Sequence, residues 1–234
     1  MNWDQIQGSW NDLKRRPQLP YADRRAAGKA LAEVLKDHVP EDGLLVLALP
    51  RGGVPVGFEV ARRLDTVLDV MVVRKLGVPG QPEVAMGAVA SGGVCEMNRE
   101  IERRLPPIIV DQVIERESRA LHQYEQQLRG DRPLPEVRGT HVVLVDDGVA
   151  TGATMRAALR ATRSLGAASI TVAVPIGSPE SIERLESECH RVICPLVPSV
   201  FVAVSQWYRD FGQVSTEEVR RLLDERACER HQPN

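Results

Sequence analysis

Features that mark whole classes of protein are scarce in this sequence of 234 residues. No apolar run approaches the roughly 18 residues of a membrane span, and the polar start, Met1 to Gln5, does not look like a signal peptide. The net charge is −2 and no basic run is sustained, which argues against a nucleic-acid partner. We therefore expect a cytoplasmic protein with neither a nucleic-acid nor a membrane partner.

Cysteine is scarce as well, and its spacing matches no common metal motif. The sequence contains no C-x-x-C pair among its four cysteines, Cys95, Cys189, Cys194 and Cys228. Cys189 and Cys194 lie on either side of His190, so a metal site there stays open. Two buried thiols of a reduced protein are the favoured interpretation.

Two common nucleotide-binding motifs are also missing. A Walker A loop requires G-x-x-x-x-G-K-[ST], but Ala30 follows the single Gly-Lys pair, Gly28-Lys29. The segment from Gly52 to Gly57 does not fit a Rossmann fingerprint, because Val54 stands where the second glycine is required. The sequence therefore argues against both of these binding modes.

Apolar runs and helical periodicities alternate along the rest of the chain. Continuous apolar runs predict buried parallel strands at 44–49, 68–73, 142–145, 170–174 and 191–197. Apolar spacing and capping signals predict helices at 21–39, 54–64, 107–129 and 155–161, from 179, and at 215–227. The glycine-rich residues 75–98 predict a mobile excursion with one short strand at 84–90. This alternation favours a single α/β domain, residues 1–234, built on a mainly parallel, doubly wound sheet.

The segment from Val142 to Thr154 carries the most chemical information. Its apolar strand is followed by two carboxylates, Asp146 and Asp147, and then by a turn of small residues that leads into a helix. Ligands of open parallel sheets bind beyond the carboxyl ends of the strands, and such a turn offers backbone N–H groups to a phosphate. The spacing thus predicts a site for a ligand with a phosphate and a diol or metal. An acidic surface turn is the less favoured alternative.

This segment resembles the 5-phosphoribosyl-1-pyrophosphate (PRPP) motif of the type I phosphoribosyltransferases. The resemblance implies their fold, with a small hood formed here by residues of about 191–214 and the N-terminal segment. It also implies transfer of the phosphoribosyl group of PRPP to a nitrogenous base with release of pyrophosphate, Mg²⁺ as cofactor, and a homodimer. The sequence departs from the family at Gly148, where a larger aliphatic residue is usual, and at Ala150, where many purine enzymes carry an acid.

The resemblance assigns roles to the residues of two loops. It implies that Asp146 and Asp147 hold the ribose hydroxyls and, through bound water, Mg²⁺. Arg51 would stabilise pyrophosphate in an Arg-Gly-Gly loop that, in this family, often holds a non-proline cis peptide; a plain strand–helix turn is the alternative. The implied catalytic residues are Arg51, Asp146 and Asp147. The other implied PRPP-binding residues are Gly52, Gly53, Ala150, Thr151, Gly152, Ala153 and Thr154.

Two further regions have a functional and a structural interpretation. Arg74 and Lys75 end the second predicted strand, where they are either pyrophosphate contacts on a flexible loop or solvated charges. Trp207 and Tyr208 belong to an aromatic segment that is either a base-stacking surface or a satellite hydrophobic cluster. The stretch from Arg74 to Ala88, together with Asp23-Arg24 and Ala27-Gly28, also resembles an uncharacterised bacterial subgroup of the family, which implies no particular substrate.

The acceptor and the catalytic status stay open at the level of sequence. The alternative function is a non-catalytic protein that senses PRPP or a nucleotide on the same fold. Transfer to an acceptor other than a purine or pyrimidine is a third option. Since the methyl group of Ala150 cannot exchange a proton with a base, we expect hypoxanthine and guanine to be poor acceptors unless another acid, such as Glu83, takes over.

Overall fold

The structure is a computed structural model that describes residues 19–40 and 42–231. The part of the predicted hood formed by residues 1–18 lies outside this description. The bounds of the helices are α1 Arg24–Leu35, α2 Gly53–Arg63, α3 Arg99–Glu102, α4 Pro107–Arg129, α5 Ala153–Ser164, α6 Pro179–Glu188 and α7 Thr216–His231. None of them is both long and apolar enough to cross a membrane.

A five-stranded sheet forms the centre of the molecule, and all of its neighbouring strands are parallel. Its strands, in their order across the sheet, are β2 Val67–Val70, β1 Leu44–Ala48, β6 His141–Val145, β7 Ser169–Ala173 and β8 Arg191–Ile193. Five apolar runs of the sequence therefore form five strands, although the last one is shorter than the predicted 191–197. The chain therefore places β2 on one side of the β1–β6 pair and β7 and β8 on the other side.

Each face of this sheet has its own hydrophobic core, because alternate residues of a strand point to opposite faces. Val46 and Val143 pack on one face with apolar residues of α1, α2, α4 and α7. Leu47 and Leu144 pack on the other face with α5 and α6. Helices cover both faces of a parallel sheet, which confirms the predicted doubly wound α/β fold.

The glycine-rich excursion is not the loop that we expected. It forms a second, antiparallel sheet of three strands: β3 Val73–Val78, β4 Gln81–Ala90 and β5 Val94–Met97. Leu76, Met86 and Val89 of this sheet are buried in the same core as α4. The short strand predicted at 84–90 is thus part of a longer one, and the burial of these side chains holds the segment against the domain.

The loops that follow β1 and β6 meet at the carboxyl edge of the parallel sheet. The backbone N–H of Leu49 donates to the carbonyl oxygen of Val145 at 2.8 Å, which joins the two loops where their strands end. The N–H of Gly53 donates to the carbonyl of Leu49, and α2 begins there. This edge is where parallel α/β sheets bind their ligands.

Candidate active site

Asp146 and Asp147, here called the acid pair, directly follow β6. The N–H of Asp147 donates to Oδ1 of Asp146 at 2.8 Å, so the first side chain is held against the backbone of the second. Burial raises the pKa of both carboxyl groups, and the charge of Asp147 raises that of Asp146 further. The acid pair is thus a concentration of negative charge that a cation or a set of hydroxyl donors would stabilise.

Residues 50–53, the glycine loop, pack directly against the acid pair. A Cβ atom on Gly52 would lie 2.1 Å from Oδ2 of Asp147, and one on Gly53 would lie 2.8 Å from the carbonyl oxygen of Val145. No side chain fits at either position, so the sequence Gly-Gly is required by the close approach of the two loops. The Pro50–Arg51 peptide bond is cis. The family resemblance implied that such a bond is often present in this loop.

The side chain of Arg51 is half-buried and faces helices rather than the acid pair. Its positive charge opposes the burial that raises the pKa of Tyr124 on α4. It also adds to the backbone and Ser215 hydrogen bonds that lower the pKa of Glu217 on α7. The backbone carbonyl of Arg51 accepts from the N–H of Val54 at 3.2 Å. Within residues 19–40 and 42–231 its guanidinium forms no hydrogen bond or ion pair and is free to bind an anion.

The turn of residues 148–154 lines a cavity of about 200 Å³ together with Asp146, Met155 and Val204. Ser178 and Ser181 both donate a hydroxyl to the carbonyl oxygen of Ala150, at 2.7 and 2.6 Å, and so fix the turn. Gly152 has a φ of 72°, and α5 begins at the next residue. The arrangement presents the N-terminus of a helix to the cavity, which is chemically suited to a phosphate.

One cation to which the sequence analysis assigned no role binds the acid pair and lies beside the glycine loop. Arg24, the first residue of α1, places Nε 2.7 Å from Oδ2 of Asp147, with only 11% and 14% of the two side chains exposed. The same Nε atom lies 3.4 Å from the position of a Cβ on Gly52. In the sequence, Arg24 is one of several neighbouring charges near the start of α1, and only the fold distinguishes it from Arg25.

The aromatic residues of the hood pack mainly on one another. Tyr208 is 5% exposed, and its ring lies 5.6 Å from that of Tyr21 and 5.0 Å from that of Phe211. Its hydroxyl donates to the carbonyl oxygen of Asp147 at 2.5 Å. Tyr208 is therefore a packing residue in this structure rather than an open stacking surface. Trp207 is half-buried, and its indole N–H has no hydrogen-bond partner among the described residues.

The unusual Gly148 is explained by a residue of the hood. A Cβ on Gly148 would lie 2.6 and 2.9 Å from the two methyl groups of Val204, and 3.0 Å from a methyl group of Ile176. Val204 thus occupies the space into which a larger side chain at position 148 would extend. Because residue 148 is a glycine and not a larger residue, the apolar hood residue Val204 can form part of the cavity wall.

Arg74 and Lys75 do not follow the second strand of the parallel sheet, as we expected, but lie within β3. Arg74 donates to Oε2 of Glu117 from Nε at 2.9 Å and from Nη2 at 2.7 Å, which ties it to α4. Lys75 is exposed. In this structure Arg74 is therefore occupied by a structural ion pair, and neither residue contacts the acid pair.

Cys189 and Cys194, the two thiols on either side of His190, lie in surroundings typical of structural cysteines. The thiol of Cys189 donates to the carbonyls of Leu185 and Arg191, and burial raises its pKa to about 11. Burial also raises the pKa of the Cys194 thiol. Among the described residues, no group of three or more His, Cys, Asp or Glu side chains could hold a metal ion.

Comparison with known proteins gives consistent matches. A family model described as "Phosphoribosyl transferase domain" matches residues 10–211. The crystal structure of TT1426 from Thermus thermophilus is 42% identical with a TM-score of 0.77, and the match covers 88% of this chain and 98% of that one. A Mycobacterium tuberculosis protein named "Putative phosphoribosyl transferase Rv0571c" is 42% identical over 206 residues. That match covers 87% of this chain but only 46% of the relative, so the chain spans about half the length of the curated relatives it matches.

Proposed function

The chain belongs to the phosphoribosyl transferase family, and we propose that it transfers the phosphoribosyl group of PRPP to a nitrogenous base with release of pyrophosphate. Family membership implies a transferase of the glycosyltransferase type. The observation that carries the finer proposal is the contact between the glycine loop and the acid pair. It brings groups suited to pyrophosphate beside groups suited to a ribose diol.

Each part of PRPP has a matching set of groups at the carboxyl edge of the sheet. The 5-phosphate would accept hydrogen bonds from the turn that ends in Thr151, Gly152, Ala153 and Thr154. The ribose hydroxyls would donate to the acid pair. The pyrophosphate would lie along Gly52 and Gly53, with the guanidinium of Arg51, which has no partner among the described residues, as its cationic partner.

Mg²⁺ fits this site as an ion that arrives with its substrate. One oxygen of each acidic side chain is already in use, since Oδ1 of Asp146 accepts from a backbone N–H and Oδ2 of Asp147 from Arg24. The remaining two carboxylate oxygens are hard ligands, and Mg²⁺ usually combines one or two protein carboxylates with substrate phosphates and water. When bound, the ion would neutralise charge on the leaving pyrophosphate.

The reaction breaks the bond between C1 of the ribose and the pyrophosphate oxygen and forms a bond between C1 and a nitrogen of the base. Positive charge develops on the sugar and negative charge on the pyrophosphate. Arg51 would stabilise the leaving group, and the acid pair would orient the ribose. The base loses its nitrogen-bound proton to water or to the released pyrophosphate unless a side chain accepts it. The methyl group of Ala150 cannot accept a proton, so hypoxanthine and guanine should be poor acceptors unless another acid, such as Glu83, takes over.

The test is a panel of bases incubated with PRPP and Mg²⁺ and assayed for pyrophosphate, preceded by calorimetry with PRPP and Mg²⁺ alone. We expect saturable PRPP binding and pyrophosphate release with at least one base. Binding without release for any base would favour the sensing function instead. No binding at millimolar PRPP would overturn the proposal. Turnover of hypoxanthine or guanine at ordinary rates, roughly 1–10³ s⁻¹, would overturn the acceptor assignment alone.

A further inference from the structure

We propose that Arg24 is a positioning residue that makes the ribose-binding carboxylate and the hood depend on each other. This inference rests on the proposed function, since it concerns how PRPP would be held. It goes beyond it in assigning a role to α1, which carries none of the implied PRPP-binding residues. The structural basis is that one guanidinium makes three contacts, one with Asp147 and two with the hood.

The first contact fixes the Asp147 side chain. Its Oδ2 atom receives Nε of Arg24 at 2.7 Å, and both side chains are nearly buried. Loss of one member of such a pair leaves the other as an uncompensated buried charge, which the protein relieves by moving or protonating it. The Gly52 backbone lies close to the same Oδ2 atom, so Arg24 and the glycine loop together define the position of the carboxylate.

The second and third contacts fix the hood. Nη1 of Arg24 donates to the carbonyl oxygen of Gly212 at 2.8 Å. The guanidinium also stacks 3.8 Å from the centre of the Phe211 ring, within the range of a cation–π interaction. Phe211 packs on Tyr208, whose hydroxyl binds the backbone of Asp147. The hood is therefore connected to Asp147 by two routes, and Arg24 forms one of them.

This geometry has a consequence for binding. A ligand that uses Asp147 acts on a carboxylate whose position Arg24 links to that of the hood. If the ligand favours one position of the carboxylate, it also favours one position of the hood, and the coupling must act equally in both directions. PRPP should thus order the hood before an acceptor binds.

Arg25 provides a matched control on the same helix. Its side chain is more exposed than that of Arg24, 39% against 11%. Its Nε lies 2.6 Å from Oε1 of the buried Glu59, and its guanidinium lies 4.9 Å from the centre of the Phe58 ring. It thus makes the same two kinds of contact as Arg24, but toward α2 instead of the site. Arg25→Gln should destabilise the protein without touching the acid pair or the hood.

The experiment compares Arg24→Gln, Arg24→Lys and Arg25→Gln with the wild type by hydrogen exchange and calorimetry. In the wild type, PRPP with Mg²⁺ should slow amide exchange in residues 205–214. In Arg24→Gln that protection should disappear, and PRPP affinity should fall about ten-fold or more, as expected for a charged hydrogen bond to a buried group. Arg25→Gln should keep both the affinity and the protection.

The variant Arg24→Lys distinguishes the effect of a positive charge beside Asp147 from the effect of the contacts between Arg24 and the hood. A lysine can restore a positive charge beside Asp147, but its ammonium cannot stack on Phe211 and bind Gly212 in the same planar arrangement. We expect most of the PRPP affinity to return while residues 205–214 keep exchanging rapidly. Unchanged affinity and protection in Arg24→Gln, or equal losses in Arg25→Gln, would overturn the inference. A wild type that does not bind PRPP would overturn the proposed function itself, and exchange of the ligand-free hood would still show whether Arg24 holds it.

Discussion

The two sides of the proposed site are built in different ways. On the phosphate side, the glycine loop and the turn of residues 148–154 offer backbone groups, and each loop is continuous in sequence. On the hood side, the aromatic rings of Tyr21, Tyr208 and Phe211 are brought together from distant parts of the chain. The first side leaves its polar groups free for a ligand, whereas the second uses most of its side chains on contacts within the protein.

Under the proposed function, the two sides would bind different parts of the reacting system. The phosphate side presents geometry that any ligand with a ribose phosphate would need. The hood side places the apolar side chain of Val204 in the wall of the cavity. Under the proposed function this wall would contact the acceptor. Substitutions on the phosphate side should therefore change PRPP affinity, and those in the hood should first change stability.

The largest effect is expected from removal of the charges of the acid pair. In the double variant Asp146→Asn and Asp147→Asn, PRPP affinity should fall by at least about 100-fold, because two charged hydrogen bonds worth roughly 1.5–3 kcal/mol each are lost. Calorimetry with PRPP and Mg²⁺ measures the loss, and Asp111→Asn on the exposed surface of α4 is the control. Unchanged affinity in a folded double variant would mean that the acid pair does not bind the ribose.

The single variant Asp146→Asn should also be more stable than the wild type at neutral pH. Burial raises the pKa of Asp146, so the folded state holds its proton more tightly than the unfolded state does. Ionisation of this group therefore costs stability as the pH rises from its ordinary pKa of about 4 through its raised value. The variant's melting temperature should exceed that of the wild type by the largest amount at pH values above the raised pKa. The difference should vanish below about pH 4. A gain that persists in acid would show that another effect is responsible.

A smaller effect is expected for Arg51→Ala. Removal of the guanidinium should lower the affinity for PRPP about ten-fold, as expected for the loss of one charged hydrogen bond. The loss of stability should be small, because the guanidinium has no ion pair in the described part of the chain. A ribose 5-phosphate mononucleotide lacks the pyrophosphate and should lose less. The two titrations are compared in the same variant, and equal losses would show that Arg51 does not contact pyrophosphate.

The sequence predicts the phosphate side well because its signals are local. The apolar run before Asp146 predicts a buried strand, and the turn of small residues after it predicts the start of a helix. Both predictions are confirmed. The acids and the glycines therefore arrive at the same edge once the sheet is parallel. The direct contact of Gly52 with Asp147 follows from that topology, although its distance does not.

The hood and the antiparallel sheet could not be predicted in the same way. Their structure depends on pairs such as Tyr21 with Tyr208, which are remote in sequence, and periodicity carries no information about them. In β3 and β4, glycines interrupt the alternation that would identify strands. Arg24 belongs to the subgroup resemblance, but its role was not predicted, because a charge at the start of a helix is ordinary and only the position of Asp147 in space makes it different.

The contact between the two sides can be tested at Gly148 and Val204. Gly148→Ala should cost roughly 1–3 kcal/mol of stability, because the new methyl group overlaps the Val204 side chain. Adding Val204→Ala removes the obstacle, so the double variant should lose less than the sum of the two single losses. Denaturant titration of the four proteins gives the coupling. Additive losses would mean that the backbone, and not Val204, limits the space at position 148.

The smallest effect is expected for Tyr208→Phe, which addresses the hood alone. The ring keeps its contacts with Tyr21 and Phe211, and only the hydrogen bond to the carbonyl oxygen of Asp147 is lost, at a cost of about 1 kcal/mol. Chemical denaturation measures this loss. Since the hydroxyl faces the protein backbone and not the cavity, the acceptor KM should stay unchanged. A raised acceptor KM with unchanged stability would mean that Tyr208 turns its hydroxyl to the ligand. In that event the hood would contribute side-chain polar groups to binding just as the phosphate side does.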